Sequence, residues 1–175
     1  MTRTSVRVVS ETTLKGAIAE AAIAAAAIEL GIHVLRPLAE GRRYDLVFDA
    51  DGLLLRVQCK WAPRRGNVVV INLRTHRCTP RGYVRSTYSA EEVDGIAVYC
   101  QELKRCFYVP IERAAGRRAF HLRLAPTANN QRAAINWAAE YELGAIAQLG
   151  ERRAGSAKVV GSSPTSSTSN VRPLR

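Results

Sequence analysis

"YDLVFDADGLLLRVQCK", Tyr44 to Lys60, decides how the rest of the chain is read. Leu46, Val47 and Phe48 lead into Asp49-Ala50-Asp51-Gly52, and Leu53, Leu54, Leu55 and Val57 follow. Two apolar runs around an Asp-Gly pair predict a β-hairpin, about Tyr44–Ala50 and Leu53–Lys60. Asp49 and Asp51 are then turn residues rather than ligands. Side chains alternate along a strand, so Arg56, Gln58 and Lys60 share one face while Leu55, Val57 and Cys59 share the other. Asp45 stands on the partner strand, near enough across one hairpin to meet the Gln-x-Lys pair. A salt-bridged, solvated hairpin face is the plain reading. The sharper one is an acid, a second oxygen donor and a lysine converging at a sheet edge, as metal-assisted phosphodiester hydrolysis requires. Magnesium takes hard oxygen ligands and waters. A bound metal acidifies a water and neutralises charge on the phosphate. A lysine stabilises that charge or positions the attacking water.

Outward from the hairpin, the pattern is a helix, a run of strands, then a helix. Thr12 or Thr13 can cap a first helix running to about Leu30, with Leu14, Ile18, Ala21, Ala22, Ala25 and Ile28 as its apolar stripe, and Gly31 stops it. "IHVLRP" is a short strand closed by Pro37. After a turn at "APRRGN", Val68–Leu73 is a further strand. "SAEEVD" predicts a short helix, with Ser89 and Glu92 spaced as a capping box. "GIAVYC" and "CFYVPI" are strands around "QELK", "AFHLRL" alternates like an edge strand, and "NNQRAAINWAAEYEL" predicts a terminal helix. The fold class is α/β, a central mixed β-sheet flanked by helices.

Charge points to the partner. The net charge is +11, and arginines outnumber lysines 22 to 4. Through Leu143 there are 21 basic against 14 acidic residues; the remainder adds 5 against 1. Arginine's planar fork suits bidentate contact with phosphate, so an arginine-dominated domain points to nucleic acid; a GC-rich genome favouring arginine codons is the bland alternative. "RTHRCTPRGYVRSTY", Arg74–Tyr88, carries four arginines, His76 and two tyrosines, and no acid. It predicts a basic loop whose Arg74, Arg77, Arg81, Tyr83 and Arg85 suit phosphate contact and stacking. Arg42, Arg43, Arg64 and Arg65, at the two hairpin ends, extend that surface. His33, His76 and His121 share no spacing.

No apolar run long enough to span a membrane is present, and the first residues lack the apolar core of a secretory signal. The four cysteines, Cys59, Cys78, Cys100 and Cys106, form no zinc spacing. They read as reduced thiols in a cytoplasmic protein, with a Cys100–Cys106 disulfide across a hairpin as the alternative.

At Asp45, Gln58 and Lys60 the sequence resembles the PD-(D/E)XK nuclease superfamily. Tyr44-Asp45 stands for Pro-Asp, and Gln58-Cys59-Lys60 for (D/E)-x-Lys. "KGAIAEAAIAAAAIELG", "RYDLVFD", "RVQCK" and "YSAEEVDGIAVYC…CFYVPI" are similar to the branch holding intron-encoded homing endonucleases and small prokaryotic nucleases, over about Leu14 to Ile111. The resemblance implies a restriction-endonuclease-like core. It makes Asp45 the metal-binding aspartate, Gln58 the second ligand, Lys60 the catalytic lysine, and Glu20 a helix glutamate completing the metal shell. Glu20 has its own support: on a helical wheel it lies among Gly16, Ala24 and Ala27, where an unpaired carboxylate is costly. Gln58 offers a neutral carbonyl, so the site holds one fewer negative charge than the common pattern.

The expectation is therefore a prokaryotic, nucleoid-associated endonuclease. It acts on double-stranded DNA with Mg2+, or Mn2+ in its place, is of homing type, and is a homo-oligomer because small nuclease domains usually need a second subunit to cut both strands. The rivals are a non-catalytic DNA-binding module with a degenerate site, and a nuclease for branched DNA or RNA. The expected domain is residues 1–143. Residues 144–175, crowded with Ser, Gly and Thr, read as a disordered basic tail. That tail also resembles a translated transfer-RNA gene: "AQLGER" can be coded by a D-arm sequence and "VGSSP" by a T-arm sequence.

Overall fold

The computed structural model describes residues 10–39, 41–79, 82–126 and 134–148, with the backbone alone at 76–79 and 83–85. Calls on residues 149–175, on Arg81 and on the start of the terminal helix fall outside that range.

The hairpin forms as read. β2 (Leu46–Ala50) and β3 (Leu53–Trp61) pair antiparallel with Leu46 opposite Val57 and Ala50 opposite Leu53. Asp51 and Gly52 take φ of 52° and 82°, and Asp49 Oδ1 accepts the Gly52 amide at 2.8 Å. Consecutive positive φ values make a turn whose twist matches the strands. β1 (His33–Leu35) pairs with the outer side of β2, and β8 (Gly95–Cys100) runs parallel to β3, with β9 (Arg105–Pro110) antiparallel beyond it. The result is a five-stranded mixed sheet, β1-β2-β3-β8-β9.

α1 (Glu11–Glu29) covers one face of this sheet. Ser10 caps it rather than Thr12 or Thr13, its hydroxyl accepting the Thr13 amide at 3.2 Å. Gly31 ends it as read, at φ 77°, with its amide on Ile28 O and the Ile32 amide on Ala27 O. The buried stripe differs from the expected one. Ala19, Ile23 and Ala27 pack against Leu46, Phe48, Val57 and Ala97, while Leu14, Ile18 and Ile28 stay 53%, 38% and 61% exposed.

The opposite face carries a second sheet, β10-β5-β4, built from β10 (Ala119–Arg123), β5 (Val68–Asn72) and β4 (Arg64–Arg65). Val69, Ile71, Phe120 and Leu122 there meet Ile96, Val98, Phe107 and Val109 of the main sheet. β10 is an edge strand, as its alternation predicts. Gly95 starts β8 under the Tyr108 ring, and a Cβ there would lie 2.2 Å from that ring. Cys100 and Cys106 are free and belong to the cores on opposite faces of the sheet, which rules out their disulfide.

Four further expectations are corrected. Arg74–Tyr88 is not a loop: β6 (Thr75–Thr79) and β7 (Gly82–Ser86) form a two-stranded ribbon, since Pro80 and Gly82 mark its turn. "SAEEVD" makes a single turn, and only half of the expected capping box forms: the Ser89 amide donates to Glu92 Oε2 at 3.3 Å, while the Glu92 and Val93 amides donate to the Ser89 backbone carbonyl rather than to its hydroxyl. A short helix α2 (Ile111–Ala114) follows β9 instead. The expected terminal helix is, in its described part, a 3-10 turn at Ala138–Tyr141 flanked by isolated bridges, Trp137 to Arg123 and Glu142 to Phe107. The chain then continues folded past Leu143. Ile146 is fully buried with Ile23 and Phe48, so the expected boundary at Leu143 leaves out a core residue.

Candidate active site

β3 outruns β2. The last regular pair is Leu46 with Val57, and Asp45 still donates its amide to Val57 O at 2.9 Å. One residue further the strands part. Asp45 Oδ2 fills the gap, accepting the Cys59 amide at 2.8 Å and the Gln58 Nε2 amide. An ionised carboxylate only accepts, so Gln58 must present nitrogen to it. Gln58 Nε2 also donates to Cys59 O at 3.2 Å. Both amide protons are thus used, and among the described residues Gln58 Oε1 and Asp45 Oδ1 keep no hydrogen-bond partner.

Lys60, two residues along the same face, is half-buried with Nζ 5.1 Å from the Tyr88 ring centroid. Burial holds its ammonium below the usual lysine range; the Asp45 charge pulls the other way, and Arg43 adds to the depression. Burial also pushes the Asp45 carboxyl above its usual range, as does the Glu20 charge, while the Cys59 amide, Lys60 and Gln58 oppose this. Glu20, on α1, completes the group: with Arg36, Arg42, Tyr44 and Asp45 it lines a cavity of about 300 Å³. Glu20 Oε2 accepts from Arg36 Nη2 at 2.6 Å. The structure therefore gathers Asp45, Gln58, Lys60 and Glu20. Among the described residues no three or more of His, Cys, Asp and Glu group as a metal site; the acidic donors here are two, and the third oxygen donor is an amide.

Sequence reasoning missed Arg36 as the partner of Glu20 and Tyr88 as the floor under Lys60. Tyr88 is 5% exposed, yet in sequence it reads as one more aromatic of a basic stretch. Arg43 is the most engaged of the expected nucleic-acid-binding arginines. It donates to Thr75 Oγ1 at 2.9 Å, Ser86 Oγ at 3.2 Å and Thr87 O at 3.1 Å, lies 3.0 Å from Glu92 Oε1, and stacks 4.9 Å from the Tyr88 ring centroid. A guanidinium so engaged fastens the ribbon base to the Tyr88 ring beneath Lys60. Arg42 is exposed at the cavity rim. Arg64 and Arg65 lie exposed on β4, Arg64 Nε turned back to Gly66 O at 2.7 Å. Arg74 is exposed where β5 leads into the ribbon; Arg77, Tyr83 and Arg85 are ribbon positions.

The sequence model of the PD-(D/E)XK endonucleases matches residues 10–144. The chain belongs to this endonuclease family. Among solved structures, a bacterial homing endonuclease, I-Ssp6803I, is similar with a TM-score of 0.65 and 31% identity, covering 83% of this chain and 99% of that one. None of the curated proteins matches. The matched PD-(D/E)XK region contains every element that builds the site, from Glu20 on α1 to Lys60 on β3 and Tyr88. The chain is accordingly a nuclease with a restriction-endonuclease-like α/β core. No helix among the described residues is long and apolar enough to cross a membrane.

Proposed function

We propose that this PD-(D/E)XK endonuclease is Mg2+-dependent, hydrolyses phosphodiesters of duplex DNA, and is of the homing type, acting at the nucleoid in the cytoplasm. The observation that carries the reading is the convergence of Asp45, Gln58, Glu20 and Lys60 where β2 and β3 part. The residues fit a hard divalent cation: among the described residues Asp45 Oδ1 and Gln58 Oε1 are oxygens without hydrogen-bond partners, and Glu20 lines one cavity with Asp45. Such an ion is satisfied by few protein oxygens plus waters and substrate phosphate. Mn2+ suits the same donors. When bound, the ion acidifies a water and offsets charge on the phosphate.

The remaining roles belong to the chain. Asp45 is fixed by the Cys59 amide, so its free oxygen is preorganised. Lys60, braced on Tyr88, stabilises the charge that develops on the phosphate or orients the attacking water. One centre per chain faces two strands of a duplex, which calls for a homo-oligomer. The exposed apolar residues Leu14, Ile18 and Ile28 on α1 support a second copy there.

The neutral amide at Gln58 favours one rival, a DNA-binding module that has lost catalysis. Plasmid nicking in Mg2+, Mn2+ and chelator separates the two. Metal-dependent nicking is expected; binding without nicking in either metal hands the assignment to the rival. Branched DNA and duplex RNA assayed alongside fix the substrate class.

A further inference from the structure

Two arginine-rich segments, far apart in sequence, meet at the base of the ribbon. One is Arg74–Tyr88, which has no acid. The other runs from Arg113 to Arg123, "RAAGRRAFHLR", and is likewise free of acids. The β5–β10 ladder brings them together: Ala119 pairs with Asn72, and the next rung is the Leu73 amide on Arg118 O at 3.1 Å. Leu73 is buried, which anchors that rung. Arg74 and Arg118 therefore emerge from neighbouring strands at a fixed separation.

Between them lies a cleft of about 380 Å³, lined among the described residues by Arg74, Ser86, Thr87 and Arg118. Both arginines are exposed. Neither guanidinium has a carboxylate or hydrogen-bond partner among the described residues, in contrast to Arg43, Arg56 and Arg105, each of which has one. With no carboxylate among the described lining residues, the cleft presents net positive charge suited to an anion. Ser86 and Thr87 tie the cleft to the active site, because Arg43 holds both residues while stacking on the Tyr88 ring that also supports Lys60.

We infer that this cleft binds a backbone phosphate of the DNA, away from the phosphate being cut, with Arg118 and Arg74 as its paired forks. The inference rests on the duplex-DNA reading above and adds a site to it. Arginine forks match phosphate oxygens bidentately. A phosphate held there sets the register of the duplex over Lys60 and Asp45 through the rigid Leu73–Arg118 rung.

The test uses the full chain, duplex DNA and Ca2+ to hold the complex uncut, with binding measured across a salt series. Arg118→Gln is expected to raise Kd about tenfold, as loss of one charged hydrogen-bonded contact does, and to lower the salt slope by about one unit. Arg118→Lys keeps the charge and should keep the slope. An unchanged melting temperature of both variants guards against misfolding; should Arg118→Gln melt early, Arg74→Gln supplies the same reading from the other wall. An unaltered Kd and slope in Arg118→Gln, or equal losses in the Gln and Lys variants, overturns the cleft assignment. A parent chain that binds duplex but does not nick it overturns the nuclease reading and leaves the cleft standing. A parent that binds no duplex overturns both.

Discussion

Asp45 accepts the Cys59 amide at 2.8 Å in the place where another residue of β2 would have paired with β3. One carboxylate thus finishes a β-ladder and begins a site. Its two oxygens divide the work, Oδ2 holding the chain and Oδ1 left open.

That division shapes what Asp45→Asn should do. An asparagine oxygen can still accept the Cys59 amide, so the fold should survive. The ligand charge is gone, so cleavage should be lost and metal affinity reduced, while DNA binding stays or tightens as repulsion from phosphate falls. Calorimetric Mg2+ titration with single-turnover cleavage reads both effects. Gln58→Glu is the converse case, expected to tighten metal binding; equal affinity in both variants would remove these residues from the metal shell.

Lys60→Ala should fail in a different manner. Metal binding should persist, while single-turnover cleavage drops by at least roughly 100-fold, about 3 kcal/mol, as for removal of one preorganised charge-stabilising group. Cutting at the parental rate would make the Gln-x-Lys face structural.

The pH response follows from Asp45. Burial raises its folded pKa, so the native state binds this proton more tightly than the unfolded chain does. Its charge therefore costs stability above the folded pKa, and that cost fades as pH falls through the window down to the ordinary carboxylate value. Asp45→Asn should melt higher than the parent at neutral pH, with the gain shrinking as the solution is acidified. Metal must displace the same proton, so Mg2+ affinity should weaken over that window. Melting curves from neutral to acid pH decide the matter, and a variant less stable than the parent at neutral pH contradicts it.

Gly95→Ala should be strongly destabilising without touching the site. The new Cβ would lie 2.2 Å from the Tyr108 ring, whose hydroxyl is bonded to Asp94 O at 3.1 Å. Overpacking of this kind costs roughly 1–3 kcal/mol. Denaturant midpoints measure it, and Tyr108→Leu in the same chain should recover much of the loss.

Truncation locates the end of the folded part. Stopping after Leu143 removes Ile146, which is 0% exposed; losing one fully buried isoleucine costs about 1.5–3 kcal/mol. A chain ending after Gln148 should keep the parental melting temperature. If the two truncations melt alike, Ile146 contributes nothing.

The sequence was most legible where a period of two meets a turn. The Asp51-Gly52 turn fixes the register, and register alone places Asp45 beside Gln58. Other elements were hidden for physical reasons. α1 is alanine-rich on every side, so its larger side chains suggest a stripe through Leu14, Ile18 and Ile28, while the sheet takes the flatter side with Ile23. The ribbon lacks an apolar alternation because its strands form a separate two-stranded sheet. Arg42 and Arg43 are indistinguishable in sequence, yet one is exposed and the other is packed on Tyr88. The Ala-rich segment before Leu143 looks helical by propensity, but Trp137 and Glu142 are used in strand bridges, and tertiary pairing overrides propensity.

Among the described residues β3 and β8 are the only parallel neighbours in the main sheet, and Arg56 and Asp94, which clamp their ends, stand 38 positions apart. Hairpins such as β2–β3 and β8–β9 close locally within microseconds, whereas a distant parallel ladder must first meet the entropy of closing the excursion between. Asp45 and Gln58 are therefore neighbours early, but Lys60 gains its Tyr88 floor only once that excursion is folded back. On the proposed assignment, a nascent chain is expected to join the acid half of its cutting centre first and the cationic half last, and so to stay unable to cut until that excursion is folded.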